Sequence, residues 1–192
     1  MRGKKALFLI LFLLVLVMGG AYVLYGKLSS TVNTESLTAQ EAEEPGETDE
    51  TEEQPLAPDF TVYDAEGNEV HLSDYAGTPV VLNFWASWCG PCKSEMPDFD
   101  DAWRELGEEV QFMMINMTDG ARETVDTASA FVAEQGYGFP VFYDTESEAA
   151  LAYGAYSLPT TYFIDADGYA VARGVGALSA EALQQGIDMI LP

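Results

Sequence analysis

The residues that decide the fold read Val80-Val81-Leu82-Asn83-Phe84-Trp85-Ala86-Ser87-Trp88-Cys89-Gly90-Pro91-Cys92-Lys93. An apolar run that is typical of a buried strand leads directly to two cysteines, and an amphipathic helical pattern follows them. Cys89 and Cys92 are the only cysteines in the chain, and His71 is the only histidine. A structural zinc site needs about four such ligands, so the pair predicts a dithiol that cycles to a disulfide, and no metal site.

The position of the pair on a strand-to-helix turn predicts which thiol reacts first. Cys89 would lie at the N-terminus of the helix, where partial positive charge lowers thiol pKa values to between ~3.5 and ~7.5. We therefore expect Cys89 to attack a partner disulfide, and Cys92, which is more buried, to resolve the mixed disulfide. A buried structural pair is the alternative, but the intervening Gly90 and Pro91 and the exposed turn argue against it.

The composition of the chain narrows its possible partners. The 192 residues include 32 acidic side chains against 8 Lys and Arg, which gives a formal net charge of −24. Nucleic-acid binding through a basic surface is therefore not expected, since phosphate contacts need clustered Lys and Arg. Two cysteines are too few for a disulfide scaffold, so a hydrophobic core must stabilise the domain.

The N-terminal segment indicates a membrane anchor. Three basic residues, Arg2, Lys4 and Lys5, precede an apolar run from Ala6 to Tyr25. A helix of about 20 residues spans a hydrocarbon core of ~30 Å, and basic residues before it place the N-terminus in the cytoplasm. A cleaved signal peptide is the alternative, but the run is long for one and no convincing cleavage motif follows. We expect residues 1–27 to form a cytoplasmic tip and a transmembrane anchor.

The segment after the predicted anchor differs in composition from the rest of the chain. Residues 28–55 contain nine acidic residues, no basic residue and no aromatic residue. Such a segment cannot bury enough apolar surface to offset its ordering entropy, so we expect a disordered tether with a reach of about 30 Å. Residues 56–192 have the composition of a globular domain and are numerous enough for one core.

Hydrophobic periodicity and turn residues predict the elements of this domain. In chain order they are strands at 60–63, 69–72 and 80–85, a helix at 91–106, a strand at 110–116, a helix at 121–135, a strand at 140–143, a helix at 146–153, strands at 160–164 and 169–173, and a helix at 180–190. Parallel βαβ units followed by an antiparallel hairpin indicate an α/β fold, in which helices cover a mixed sheet.

Residues 82–93, together with the downstream run Leu158-Pro159-Thr160-Thr161-Tyr162-Phe163-Ile164-Asp165, resemble the thioredoxin fold. More narrowly, residues 56–190 are similar to the TlpA/ResA-like membrane-anchored thiol-disulfide oxidoreductases. The shared features include a hairpin before the first core strand, the segment Ala57-Pro58-Asp59-Phe60 and an inserted region at about 117–153. The resemblance implies a thioredoxin-like mixed sheet flanked by helices, with an N-terminal β-hairpin and a central strand-helix insertion, behind one transmembrane helix.

The resemblance also implies a substrate-binding region beside the cysteines. Pro159 would be a cis-proline that faces the pair, although sequence alone would not predict this, because only about 5% of X–Pro bonds are cis. Leu158 would present backbone groups to a substrate segment, which would pair with it as an added strand. Trp88, Gly90 and Pro91 would contribute the other side of this region.

One position departs from the thioredoxin pattern. Thioredoxins usually carry an aspartate where this chain has Asn83, which cannot accept a proton. The family often supplies instead a glutamate three residues after the second cysteine, which here is Glu95. We expect Glu95 to exchange a proton with Cys92. The alternative is a surface acid in the first turns of the helix, where the helix dipole favours negative charge.

The resemblance predicts an extracytoplasmic protein-disulfide reductase that needs no cofactor. Its substrates would be protein disulfides, and an integral membrane thiol carrier would donate electrons. In the family, reduction of the haem-site cysteines of apocytochrome c is the common task, and a spore-envelope role is another. The residues between the cysteines match thioredoxin, whose potential is about −270 mV, against about −120 mV for a strong disulfide oxidant. A disulfide oxidase or isomerase is the alternative direction.

Two other activities occur on related folds. A thiol peroxidase usually has a Thr-x-x-x-Cys context and a distant arginine, which the string Trp88-Cys89-Gly90-Pro91-Cys92 does not fit. A copper-delivery protein would need a CxxxC motif and a distal histidine, and the sequence has neither.

Overall fold

The computed structural model describes residues 55–192. The predicted anchor at 1–27 and the predicted tether, except for its last residue, lie outside the described residues. Pro55, which we assigned to the tether, accepts a backbone hydrogen bond from Ala170 at 3.1 Å, so the ordered fold already includes it. Within the described part of the chain, no helix is long and apolar enough to cross a membrane.

The strands and helices follow one another in the predicted order. The strands are β1 (Thr61–Tyr63), β2 (Glu69–His71), β3 (Val80–Trp85), β4 (Gln111–Asn116), β5 (Val141–Tyr143), β6 (Thr160–Ile164) and β7 (Ala170–Val175). The helices are α1 (Gly90–Leu106), α2 (Val125–Gln135), α3 (Glu148–Ala152) and α4 (Ala180–Ile190), and a 3₁₀ turn spans Leu72–Tyr75.

The strands form one mixed sheet in the order β2-β1-β5-β4-β3-β6-β7. The pairs β3–β4 and β4–β5 are parallel, whereas β1–β2, β1–β5, β3–β6 and β6–β7 are antiparallel. Both predicted hairpins are present, and the inserted strand β5 lies between β1 and β4. The predicted thioredoxin-like α/β architecture is therefore confirmed for the described domain.

The sheet separates two hydrophobic clusters because strand side chains alternate between its faces. On β3, Val81 and Trp85 belong to the cluster that contains both cysteines, while Leu82 and Phe84 belong to the other. All six β3 residues are buried, as expected for a strand covered on both faces. The dithiol is thus attached to the most buried strand of the domain.

The predicted helix at 121–135 begins later than expected, at Val125. The carboxylate of Asp119 accepts hydrogen bonds at 2.7–2.8 Å from the backbone N–H groups of Ala121, Arg122 and Glu123. This side chain holds the three residues in a turn, and Thr124 then caps the helix. The other predicted boundaries differ from the structure by at most two residues.

Candidate active site

The two cysteines lie where β3 leads into α1. Cys89 is the N-cap of α1, and it forms a disulfide with Cys92, with an S–S distance of 2.08 Å. The backbone N–H of Cys92 donates a hydrogen bond of 3.2 Å to the Cys89 sulfur. Cys89 is 4% exposed and Cys92 is 0% exposed, so Cys89 is the sulfur that a partner can reach. The order in which the two sulfurs react stays a prediction.

Cys89 lines a groove of about 590 Å³, and most of the surface of this groove is apolar. Four predicted substrate-binding residues line it, namely Trp88, Gly90, Pro91 and Leu158. Leu151 of α3 and Tyr156, in the turn that follows, were not predicted from the sequence but line the same groove. Both are largely exposed. The groove therefore presents unburied apolar surface next to the reactive sulfur.

The peptide bond between Leu158 and Pro159 is cis, as the family resemblance implied. The Pro159 carbonyl accepts a hydrogen bond of 2.9 Å from the Gly176 N–H. In the part of the chain that the structure describes, no protein group bonds to the backbone N–H or C=O of Leu158. Because backbone polar groups require hydrogen-bond partners, Leu158 can pair with an extended segment that enters the groove.

Glu95 lies inside the domain and is only 1% exposed. One carboxylate oxygen accepts a 2.9 Å hydrogen bond from the Asn83 amide, and the other accepts a 2.8 Å bond from the Leu178 N–H. Burial raises the pKa of Glu95 to about 7, although the hydrogen bonds from Leu178 and Asn83 partly oppose that effect. The alternative interpretation of Glu95 as a surface acid is therefore wrong.

The position of Glu95 is suited to proton exchange with Cys92. The two residues are three apart in α1, so their side chains lie on the same face of the helix. A disulfide carries no thiol proton, and the two groups therefore have a proton to exchange only after reduction. Asn83 also donates a 2.9 Å hydrogen bond to the Thr161 hydroxyl. One bond from the Asn83 amide thus goes to the Glu95 carboxylate and the other to Thr161.

A second buried carboxylate, Glu123, contacts the loop that precedes Cys89. It is 0% exposed, and it accepts hydrogen bonds of 2.7 Å from both the N–H and the hydroxyl of Ser87. A third bond, of 2.6 Å, comes from the Asn116 amide at the end of β4. Glu123 therefore fastens the cysteine loop to the sheet. We did not predict this role, because Glu123 fell within the helix predicted at 121–135.

The neighbouring residue Arg122 contacts the same loop from outside. Its guanidinium carbon lies 3.8 Å from the centroid of the Trp88 ring, a cation–π geometry. The turn that follows β4 and carries Arg122 and Glu123 therefore contacts two successive residues of the cysteine loop, Ser87 and Trp88.

Among residues 55–192, no cluster of three or more His, Cys, Asp or Glu side chains could hold a metal ion. The arrangement of a helix-capping dithiol, a buried carboxylic acid and an apolar groove is suited to thiol-disulfide exchange, in which the protein supplies two of the reacting sulfurs and a partner disulfide supplies the others.

Comparison with known proteins gives consistent matches. A model of the AhpC/TSA family matches residues 54–172. The thiol-disulfide oxidoreductase ResA of Bacillus thuringiensis subsp. konkukian is 31% identical over 193 residues, which cover 100% of both chains. The ResA of Bacillus cereus is 35% identical over 137 residues, 71% of this chain and 77% of that relative. The structure of the exposed lipoprotein thioredoxin of Streptococcus pneumoniae is 31% identical, with a TM-score of 0.59, and covers 69% of this chain and 99% of that one.

Proposed function

Because this chain belongs to the AhpC/TSA family and is a ResA-like thiol-disulfide oxidoreductase with a thioredoxin fold, we propose that it reduces protein disulfides on the outer face of the cell membrane. The observation that carries the proposal is the Cys89–Cys92 pair at the N-terminus of α1, where Cys89 borders an apolar groove and a buried carboxylic acid follows Cys92 by three residues.

The first step joins the protein to its substrate. The Cys89 thiolate attacks one sulfur of the partner disulfide, a new S–S bond forms, and the second partner sulfur leaves as a thiolate and takes up a proton. The helix N-terminus and the Cys92 N–H stabilise the Cys89 thiolate before attack. The backbone of Leu158 and the apolar groove hold the partner segment beside Cys89.

The second step releases the reduced substrate. Cys92 gives its proton to Glu95 and attacks the Cys89 sulfur, so that the Cys89–Cys92 bond forms and the partner sulfur leaves and is protonated. The partner gains two electrons and two protons, and the protein is left oxidised. A buried thiol resists ionisation, and a carboxylate whose pKa is about 7 is matched to accept its proton at neutral pH.

The oxidised protein must then regain two electrons. We propose an integral membrane thiol carrier as the donor, which reduces the Cys89–Cys92 disulfide by the same exchange chemistry in reverse. The basic and apolar pattern of residues 1–27 supports membrane attachment, and the acidic segment 28–55 would give the domain its reach. The similarity to a protein described as an exposed lipoprotein thioredoxin supports a location outside the cytoplasm.

Trapping of mixed disulfides tests the reaction. Cys92→Ala cannot resolve, so it should accumulate mixed disulfides with its substrates, whereas Cys89→Ala should trap few or none. Cells that express each variant would be quenched in acid, alkylated and compared on non-reducing gels, with the haem-site cysteines of apocytochrome c as the first substrate to be sought. Equal trapping by both variants, or trapping by Cys89→Ala alone, would overturn the assignment of Cys89 as the nucleophile.

Protease treatment of intact protoplasts tests the location. A C-terminally tagged protein should release a soluble fragment, and cleavage should begin in the tether, because it has no expected core contacts. Recovery of the mature protein from the medium, with a new N-terminus near residue 26, would contradict a permanent anchor.

A thiol peroxidase on the same fold is the second candidate, because the matching family model is that of AhpC/TSA. The two functions differ in which substrate oxidises the reduced pair. We expect the reduced protein to react with a peptide disulfide much faster than with hydrogen peroxide. Faster consumption of peroxide would favour the peroxidase.

A further inference from the structure

We propose that Arg122 is a specificity-determining residue, which holds the Trp88 indole in place as a fixed wall of the substrate groove. The preferred substrate is then a peptide disulfide with an aromatic or aliphatic side chain next to one of its cysteines. This inference rests on the proposed function and names the substrate class for the same site.

The contact between Arg122 and Trp88 is close. The guanidinium carbon lies 3.8 Å from the Trp88 ring centroid, whereas Arg104 lies 5.9 Å from that of Trp103. A guanidinium at this distance lies over the face of the indole, where a lysine ammonium would keep the charge but not the planar stacking. Trp88 lines the groove, whereas Arg122 is not among the described residues that line it. Arg122 therefore supports the indole from outside the space that a substrate would occupy.

The backbone that carries Arg122 is itself fixed. The Asp119 carboxylate accepts hydrogen bonds from three successive N–H groups, including that of Arg122. The next residue, Glu123, is buried and bonded to Ser87, which directly precedes Trp88. The indole is therefore held through its ring by Arg122 and through its backbone neighbour by Glu123. Both ends of this clamp lie in one turn of the chain.

The wall that Arg122 supports belongs to an exposed apolar surface. Trp88 is 41% exposed, Leu151 is 65% exposed and Tyr156 is 84% exposed, and all three line the groove at Cys89. Large apolar side chains that cluster in the open beside a reactive group indicate a binding surface. An aromatic or aliphatic side chain next to the substrate cysteine would bury this surface while its sulfur meets Cys89. A rigid wall lowers the ordering cost of that contact.

The experiment compares the full-length wild-type protein with Arg122→Met, Arg122→Lys and the matched control Arg104→Met. The control removes the same charge and a longer contact with tryptophan, together with the Arg104–Asp100 salt bridge, more than three helical turns from Cys89. Three disulfides are used as substrates: a cyclic peptide with Phe before its first cysteine, the same peptide with Ala there, and bis(2-hydroxyethyl) disulfide. Single-turnover reactions of the pre-reduced protein give the half-saturating concentration and the limiting rate for each substrate.

We expect Arg122→Met to raise the half-saturating concentration of the Phe peptide about two- to fivefold, since exposed cation–π contacts are of that strength. The limiting rate, the Ala peptide and the small disulfide should be unaffected, Arg122→Lys should recover part of the loss, and Arg104→Met should behave as the wild type. Equal behaviour of Arg122→Met and Arg104→Met, or an equal loss with all three disulfides, would overturn the proposal.

A binding measurement separates this inference from the proposed function. The Phe and Ala peptides with both cysteines replaced by serine would be titrated into the oxidised protein and its variants. If the wild-type protein reduces none of the disulfides, the proposed function fails. Weaker binding of the Phe peptide by Arg122→Met than by Arg104→Met would still support the clamp, and equal binding would refute it.

Discussion

Two buried glutamates contact the dithiol region, and the protein uses them differently. Glu123 accepts three hydrogen bonds of 2.6–2.7 Å, from Ser87 and Asn116, which belong to the cysteine loop and to the end of β4. Glu95 accepts two, of 2.8–2.9 Å, from Asn83 and Leu178. Both side chains are at most 1% exposed. Burial alone therefore does not decide what a carboxyl group does.

The difference lies in what the hydrogen bonds connect. Burial of a carboxylate is costly unless donors replace the lost water. The Glu123 bonds join two elements of the fold, so the acid acts as a brace for the loop. The Glu95 bonds do not fully offset burial, so its pKa rises to about 7 and its proton can be exchanged at neutral pH. We infer that Glu123 fixes the position of Cys89 and that Glu95 serves the proton chemistry of Cys92.

The largest expected effect comes from removal of the brace. Glu123→Ala leaves the N–H and hydroxyl of Ser87 and the Asn116 amide without their acceptor, and we expect it to lower the free energy of unfolding by about 4 kcal/mol. Urea unfolding of the oxidised protein measures this loss. The control is Glu134→Ala, at an exposed position of α2. A loss no greater than that of the control would show that Glu123 is not a brace.

The next effect concerns the pH dependence of stability. The pKa of Glu95 is about 7 in the folded protein and close to 4.5 when unfolded. The native state therefore binds the extra proton, so the stability that Glu95 contributes is fully present below pH ~4.5 and is lost as pH rises through ~7. A shift of this size corresponds to about 3 kcal/mol.

Glu95→Gln removes this titration. Unfolding free energies of the oxidised wild type and the variant, measured between pH 4.5 and 8, should therefore diverge by that amount, with the variant gaining relative stability as pH rises. Parallel pH profiles would contradict the buried, titrating Glu95.

The same variant should slow resolution of the mixed disulfide. Without a carboxylate, the Cys92 proton must leave by another route, and we expect the rate at pH 7 to fall by up to about a hundredfold. Rapid-quench decay of a preformed mixed disulfide measures the step, with Glu105→Gln, an exposed acid in the same helix, as the control. An unchanged rate together with unchanged thiol pKa values would remove Glu95 from the reaction.

A smaller effect, on the pKa of Glu95, should follow substitution of Asn83, which donates a hydrogen bond to it. Asn83→Asp places a second carboxylate within hydrogen-bond distance of Glu95 and removes a donor, so the pKa of Glu95 should rise by at least about one unit. NMR titration of the Glu95 side chain would detect this. Asn116→Asp makes the same substitution beside Glu123 and should leave the pKa of Glu95 unchanged. If both variants had the same effect, the two carboxylates would not be independent.

Much of this site was predictable from the sequence. The apolar run of β3, the spacing of the cysteines and the family resemblance predicted the dithiol, the cis bond before Pro159 and the order of the strands. The dithiol and the chain order of the strands follow from local patterns, whereas the cis bond was implied by the family resemblance, because sequence alone would not predict it. The resemblance also identified Glu95 as a candidate, and the partner that holds its carboxylate inside the domain, the Leu178 N–H, lies far from it in the chain.

The brace and the clamp could not be predicted in the same way. Arg122 and Glu123 fell within the helix that we predicted at 121–135, whereas α2 begins at Val125. The Asp119 carboxylate competes for their N–H groups and turns both residues toward the cysteine loop. The sequence contained one clue, since the Asp119-Gly120 pair is typical of a turn.

The reduction potential of the Cys89–Cys92 pair tests the central claim most directly. Equilibration of the purified protein with redox buffers at pH 7, followed by alkylation of free thiols, gives this value. A reductase of the thioredoxin kind should have a potential near −270 mV, so that electrons pass from it to protein disulfides of higher potential. A potential near −120 mV, about 7 kcal/mol more oxidising, would contradict the account and make the protein a disulfide oxidase.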